Sequence, residues 1–505
     1  MSTTPIRSLT LLVLLAGCPS APTTDTPTDA AHTDTDTDTG TTDTGVTEVL
    51  PAAPTSLTAV AGDGAITLTW DAVGGAASYT VFWGTDAAVD ETSATLPSTT
   101  STTTVHTGLT SGTTYSYRVA AENGAGQGPL SAQVDATPTT SSGIRLIAAG
   151  AHSSFLVDAD GDLYAWGRND IGQLGLGNFS ATYVPTQVLG ISDVVAVSSG
   201  GWHTMAITAD GALYGWGQND TGQVGLGNTS GVWRPTRIGL REDWVSVAAG
   251  RLHTVAATSD GGVWVWGYNA SGHLGLPQPG GYVEQPEYLR TGVITGTDPG
   301  MVWAGDATSF FKPDTNGKEY LPVASWGKSG AGQLGRDDGG NIDLANTPTP
   351  IASSAKYLAM STRAMHTLAL REDHTMVAWG VGAEGQLGTG GTSNAFGPVP
   401  VQFEGRVVAV AAGTFHSLAL GDDGKVLAWG SNGYGQLGDG TNDSSLIRVQ
   451  VQDLDSVEMI AAGESFGLAL KRDGTLWGWG SGTYGQLGTG SPVDSNVPVQ
   501  VDWHP

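Results

Sequence analysis

The side chains that could carry chemistry are few, and they are regularly placed. His203, His253, His366 and His416 each stand thirteen residues before the tryptophan of a Trp-Gly pair. A zinc site needs three or four such ligands within a few ångströms of each other. These histidines instead share one phase of a repeat, where Ser153, Thr308 and Phe466 stand in other copies. One residue per copy is spread through the fold, so the expected role is framework, with the ring bonded to backbone. No Gly-x-Ser-x-Gly, Walker or His-Glu-x-x-His sequence occurs, and no nucleophile is paired with a base. The expectation is a protein that is not an enzyme, with no metal site, no catalytic residues and no cofactor.

The remaining reactive group is the thiol of Cys18, the one cysteine of the 505 residues. It follows an apolar run from Leu9 to Leu15, preceded by the lone positive charge of Arg7. That is the architecture of a signal peptide over residues 1–18, too short to span a bilayer. The sequence Leu15-Ala16-Gly17-Cys18 resembles the lipobox of bacterial lipoproteins. The resemblance implies lipid attachment at Cys18, which becomes the mature N-terminus. The expected location is the bacterial cell envelope, at the outer membrane or cell surface. An exported chain without a second cysteine forms no internal disulfide.

Residues 19–50 form a tether in which Thr and Asp alternate from Asp34 to Thr39. Such a stretch buries too little apolar surface to offset its ordering entropy, so it is expected to be disordered. The Asp spacing hints at a calcium loop, but that loop needs Gly at its sixth position and Glu at its twelfth. Thr39 and Gly45 stand there instead.

The formal net charge is −27, with −7 in residues 19–50, −6 in 51–138 and −15 in 139–505. No stretch of Lys and Arg gathers into a patch, so attraction to phosphate backbones is absent and nucleic acid is excluded as a partner. Anionic lipid surfaces are disfavoured for the same reason. The 75 glycines accompany 16 tryptophans. Many tight turns between short, well-packed strands follow, and with them an all-β fold.

Residues 51–138 show period-two alternation in Ile66, Leu68 and Trp70, in Tyr79, Val81 and Trp83, and in Tyr115, Tyr117 and Val119. Seven short strands are expected. Trp70 and the run Leu109-Thr110-Ser111-Gly112-Thr113-Thr114-Tyr115 make this segment similar to a fibronectin type III domain, with a core tryptophan and a tyrosine corner. No Arg-Gly-Asp tripeptide occurs, and a spacer role is expected. Residues 139–143 read as a linker.

From residue 144 to 505 the chain repeats itself. Trp-Gly recurs at Trp166, Trp216, Trp266, Trp326, Trp379, Trp429 and Trp479, at spacings of 50, 50, 60, 53, 50 and 50 residues. Six residues after each tryptophan begins Gly-Gln-Leu-Gly, with Val224 and His273 as the two departures. Asp-Gly turns such as Asp210-Gly211 divide the apolar strands upstream. Several strands per unit of about 50 residues point to propeller blades, and seven units close a ring that leaves few free sheet edges. The combined motifs resemble the regulator of chromosome condensation repeat family. That resemblance implies a seven-bladed β-propeller behind a fibronectin type III-like β-sandwich.

Function within that family is diverse, and fold does not carry it. One reading is a membrane-anchored binding protein that presents the propeller to a protein or glycan. A second is an inhibitor of a secreted enzyme, resembling β-lactamase inhibitor protein II. A third is a glycoside hydrolase of unusual type: Ser259-Asp260-Gly261-Gly262-Val263-Trp264 is faintly similar to the Asp-box of sialidases, but lacks the residue between Asp and Gly and the Thr before Trp. A fourth is a guanine-nucleotide exchange factor, which export disfavours.

Binding residues are expected where the copies disagree. The position before the framework histidine holds His152, Trp202, Leu252, Ala307, Met365, Phe415 and Ser465, and the loop after Gly-Gln-Leu-Gly holds Tyr183, Trp233 and Phe396. Aromatic and methionine side chains suit protein recognition, so the candidate rim is Trp202, Phe415, Trp233, Tyr183, Met365 and Phe396. The fourth copy carries ten extra residues, including Phe310, Phe311, Pro313, Asn316 and Gly317. They are expected to form either a protruding binding hairpin or a tolerated insertion.

Overall fold

An Asp-Gly pair between two apolar runs forces the chain back on itself. In the second repeat, Gly211 takes φ 80°, a left-handed conformation open mainly to glycine. The carboxylate of Asp210 accepts hydrogen bonds from Thr208 Oγ1 at 2.6 Å and Ala212 N at 3.2 Å. His203–Thr208 and Leu213–Gly217 then pair antiparallel, with every residue of the former buried. Gly161, Gly261, Gly424 and Gly474 repeat the positive φ after an aspartate, and His374 takes that place in the fifth repeat at φ 64°.

The computed structural model describes residues 49–503 apart from 63–64, 86–87, 111, 139–142, 278–279, 290–297, 315–321 and 340–343. The signal peptide, Cys18 and residues 19–48 of the Thr/Asp tether lie outside the described residues. The chain divides into two units on either side of Ser141 and Ser142.

In the second unit the described residues form seven four-stranded antiparallel sheets, each made of strands consecutive in sequence. The first sheet runs Ile144–Ala149, Ser153–Asp158, Leu163–Gly167 and Thr182–Gln187 from the shaft outward. The seventh ends with Ser495–Gln500. Seventh and first sheets meet through Ser154 Oγ and Trp166 Nε1, which donate to Gln486 O at 2.7 and 3.0 Å. The ring is therefore closed, with seven blades. Proline occupies the outermost strand of six blades, at Pro185, Pro235, Pro286, Pro348, Pro398 and Pro498. Missing N–H donors and bulges at those edges discourage pairing with another chain. The sixth blade has Arg448 there, whose Nη1 donates to Gly388 O at 3.1 Å.

All seven Trp-Gly tryptophans are fully buried. Each packs against the Gly-Gln-Leu-Gly loop of the preceding blade: a Cβ at Gly175 would lie 2.8 Å from Trp216 Nε1. Phe310 and Phe311 of the long fourth repeat are also fully buried, opposite Ser325 and Ala324 in the sheet. These aromatics fill the core instead of projecting, which corrects that part of the binding-hairpin expectation. Asn316 and Gly317 lie outside the described residues.

The first unit is a sandwich of a three-stranded sheet, Thr58–Gly62, Ala65–Thr69 and Thr103–Thr107, and a five-stranded one. Among the described residues its strands number eight, not seven. The surplus comes from two-residue pieces such as Ala94–Thr95 and Gly126–Gln127, too short for alternation to reveal. Trp70 is buried edge-on to Tyr79, with centroids 5.5 Å apart. Tyr115 Oη accepts the Thr110 N–H at 3.1 Å, the hydrogen bond of a tyrosine corner.

Candidate functional site: the face at the shaft mouth

Every blade offers the same two loops on one face. In an antiparallel sheet, the connections after the first and third strands leave from the same edge, and Arg168 N donates to His152 O at 2.9 Å between them. All six candidate rim residues lie on these loops or at the fourth-strand starts beside them.

What fixes the loops is a chain of hydrogen bonds across the blade seams. His366 Nε2 meets Ser417 Oγ of the next blade at 2.9 Å. Ser417 Oγ donates its one hydrogen to Gln386 O at 2.8 Å, so the imidazole is the donor in the first bond. Trp429 Nε1 donates to the same carbonyl at 2.8 Å. His203 with Thr254 and His253 with Ser309 repeat the pattern at 2.8 and 2.9 Å. For His203, His253 and His366 the partner is thus a side-chain hydroxyl one blade away, in place of the expected backbone bonding. Burial pushes His203 and His416 down to about 3 and His366 to about 4, so these rings stay neutral. They are framework.

At the axis, crowding selects glycine. A Cβ at Gly200 would stand 1.9 Å from Gly250 O of the next blade. The equivalent position is Gly150, Gly250, Gly305, Gly413 and Gly463 in five other blades, but Arg363 in the fifth. Arg363 reaches across the shaft and donates from Nη2 to Ala149 O of the first blade. Burial lowers its pKa to about 10, with Glu464 and Asp306 opposing the shift, so it remains a cation at neutral pH.

The mouth above Arg363 carries charges of both signs. Burial raises the Asp306 carboxyl, against the attraction of Arg251 and Arg363. His152 Nε2 lies 3.3 Å from Glu464 Oε2. Burial lowers the imidazole pKa more than Glu464 raises it, which favours the neutral ring beside that carboxylate. Arg168 lies between Trp202 and Tyr484, its guanidinium carbon 4.6 and 4.8 Å from their ring centroids. Asp170 clamps it with bonds of 2.9 and 2.6 Å. Cation–π contact on two faces and a bidentate carboxylate fix this arginine before any partner arrives.

The structure divides the candidate residues into two zones. Trp202 and Phe415 line the cavity at the shaft mouth, and Phe415 is 44% exposed. Met365 lies on the same set of loops, exposed, outside the cavity lining. Trp233, Tyr183 and Phe396 sit farther out, at the starts of fourth strands, each seated on the preceding blade's loop. Gly177 N, Gly490 N and Asp337 N donate to their carbonyls at 2.8, 2.9 and 2.8 Å. Trp233 also packs on Phe179, with centroids 5.3 Å apart. Sequence reasoning missed Arg168, Tyr484, Asp306, Arg363 and Glu464. Arg363 had a signal, as the one departure from glycine at its phase. Glu464 and Tyr484 reach the first blade only through ring closure.

Among the described residues, no group of three or more His, Cys, Asp and Glu side chains could hold a metal ion. What the face offers is aromatic surface, oriented charge and fixed loops, which together can bind.

Comparison with known proteins places this architecture. The family model described as RCC1-like domain matches residues 242–504. Two models of the regulator of chromosome condensation (RCC1) repeat match 160–207 and 210–257, and 144–173 and 194–223. The fibronectin type III domain model matches 52–137. Among solved structures, human WBSCR16 is 24% identical, covering 68% of this chain and 94% of its own, with a TM-score of 0.61. Prp20p from Saccharomyces cerevisiae, described with its binding to Gsp1p and histones, is 22% identical over 68% and 87%, also with a TM-score of 0.61. At such identities the likeness shows a shared fold.

Proposed function

The chain belongs to the RCC1-like propeller family, and on that premise we propose that it is an exported, lipid-anchored, non-enzymatic binding protein whose shaft-mouth face engages a protein partner. The observation that carries this reading is the gathering of residues from the first, second and seventh blades (Arg168, Trp202 and Tyr484) into one preorganised cluster. Aromatic and arginine side chains dominate binding energy at protein interfaces, and prior ordering reduces the entropic cost of association. The mixed charges of the mouth favour a protein surface over nucleic acid, whose phosphates would meet Asp170, Asp306 and Glu464.

Attachment through Cys18 and spacing by the Thr/Asp tether and sandwich complete the proposal. The sequence Leu15-Ala16-Gly17-Cys18 supports the anchor. Growth with a labelled fatty acid should mark the wild-type protein and leave Cys18→Ser unmarked; label retained by the variant would end the anchor proposal. For the face, Trp202→Ala with Phe415→Ala should weaken capture of the envelope partner at least a hundredfold, with melting temperature held within a few degrees. Undiminished capture would move the site elsewhere.

A further inference from the structure

The shaft itself is a second place where a ligand fits. The cavity, mouth and bore together, measures about 730 Å³ and is lined in part by the inner strands of all seven blades, within the range of small-molecule sites. Inner strands of six residues at about 3.3 Å each give a bore about 20 Å long. Much of its wall is apolar, including Met301, Trp303, Leu358, Val410 and Ile460. The serines in that wall are already engaged. Ser198 Oγ accepts from Ala249 N at 2.9 Å, Ser246 Oγ from Val302 N at 3.2 Å, and Ser361 Oγ from Ala412 N at 2.9 Å.

Arg363 breaks the uniformity of this wall. A guanidinium has five N–H donors, and Arg363 lines the cavity while giving one to Ala149 O. Among the described residues no carboxylate lies within ion-pair distance of it. Its planar fork matches a carboxylate. Asp306 and Glu464 act on it from the mouth, so a single negative charge is tolerated where a dianion would meet repulsion. A cation at one end of an apolar bore is complementary to an anion with an apolar tail.

We propose that the shaft binds one amphiphilic monocarboxylate of the fatty-acid class, its carboxylate on Arg363 and its hydrocarbon chain along the bore. This site shares its cavity with the protein-binding face, whose Trp202 and Phe415 line the mouth, but it rests on Arg363 and the bore and stands whether or not that face has a protein partner. The test is calorimetric titration of the full chain with dodecanoate and with its neutral counterpart dodecanol. Dodecanoate should bind one to one, and dodecanol at least tenfold more weakly. Arg363→Gly, which installs the residue of the other six blades, should weaken dodecanoate at least tenfold; Arg363→Lys should recover part of that loss. Lys425→Ala, an exposed cation outside the cavity lining, should change it less than twofold. No saturable binding to wild type, equal affinity for dodecanol, or undiminished binding by Arg363→Gly would each overturn the proposal. Should Arg363→Gly fail to fold, the dodecanol comparison and Arg363→Lys still decide.

Discussion

At the scale of single residues, the buried histidines make stability depend on pH in a calculable direction. Their folded pKa values lie near 3 to 4 for His203, His366 and His416, below the usual value of about 6.5. As pH falls, the unfolded chain takes up these protons first. The stabilisation is therefore complete above about pH 6.5, declines progressively below it, and is lost by the folded pKa values. Urea midpoints at pH 7.5, 6.0 and 5.0 should fall steadily, in a window above ordinary carboxylate titration. A flat profile would mean that these imidazoles are accessible to solvent protons. His366→Ala removes a ring and a seam hydrogen bond together, and is expected to cost about 2–4 kcal/mol by denaturant unfolding. His416 differs from the rest: the next blade presents Gly467 where others have a hydroxyl, and its Nε2 has no partner among the described residues.

At the scale of elements, neighbouring blades meet backbone to backbone just past their inner strands, at Gly200 and Gly250. Gly200→Ala would drive a methyl group to 1.9 Å from Gly250 O, whereas a Cβ at Gly391 meets nothing within 4 Å. The first substitution should destabilise by at least about 3 kcal/mol, and Gly391→Ala should stay within about 0.5 kcal/mol. Comparable losses in both would refute the crowding argument. The blade itself was legible in the sequence because its signals are local. Asp-Gly turns, period-two strands and Trp-Gly pairs all lie within one repeat of about 50 residues. The seam was less legible, since His366 and Ser417 stand 51 residues apart and each looks self-sufficient in its own strand. The rim residues were found by their variation, yet variation did not separate Trp202 and Phe415 at the mouth from Trp233 and Tyr183 farther out. Arg363 was less legible because the position where copies differ most lies two residues later, at Met365.

At the scale of the whole molecule, the recognition face is a product of closure. Glu464 N donates to Ala151 O at 3.0 Å, and Tyr484 reaches Arg168 across the same boundary. Side-chain burial reinforces it, with Trp503 edge-on to Tyr164 at 4.6 Å. No strand of the last blade is borrowed from the first, because each sheet is contiguous in sequence. The starting point of the circle is thus arbitrary. A circular permutant that moves the seventh blade ahead of Ile144, with a linker of native length, should keep the propeller's melting temperature within a few degrees by calorimetry. Failure to fold would show that the order of synthesis matters. If the permutant folds, whole blades could be exchanged like cassettes to redraw the mouth without redesigning the wheel.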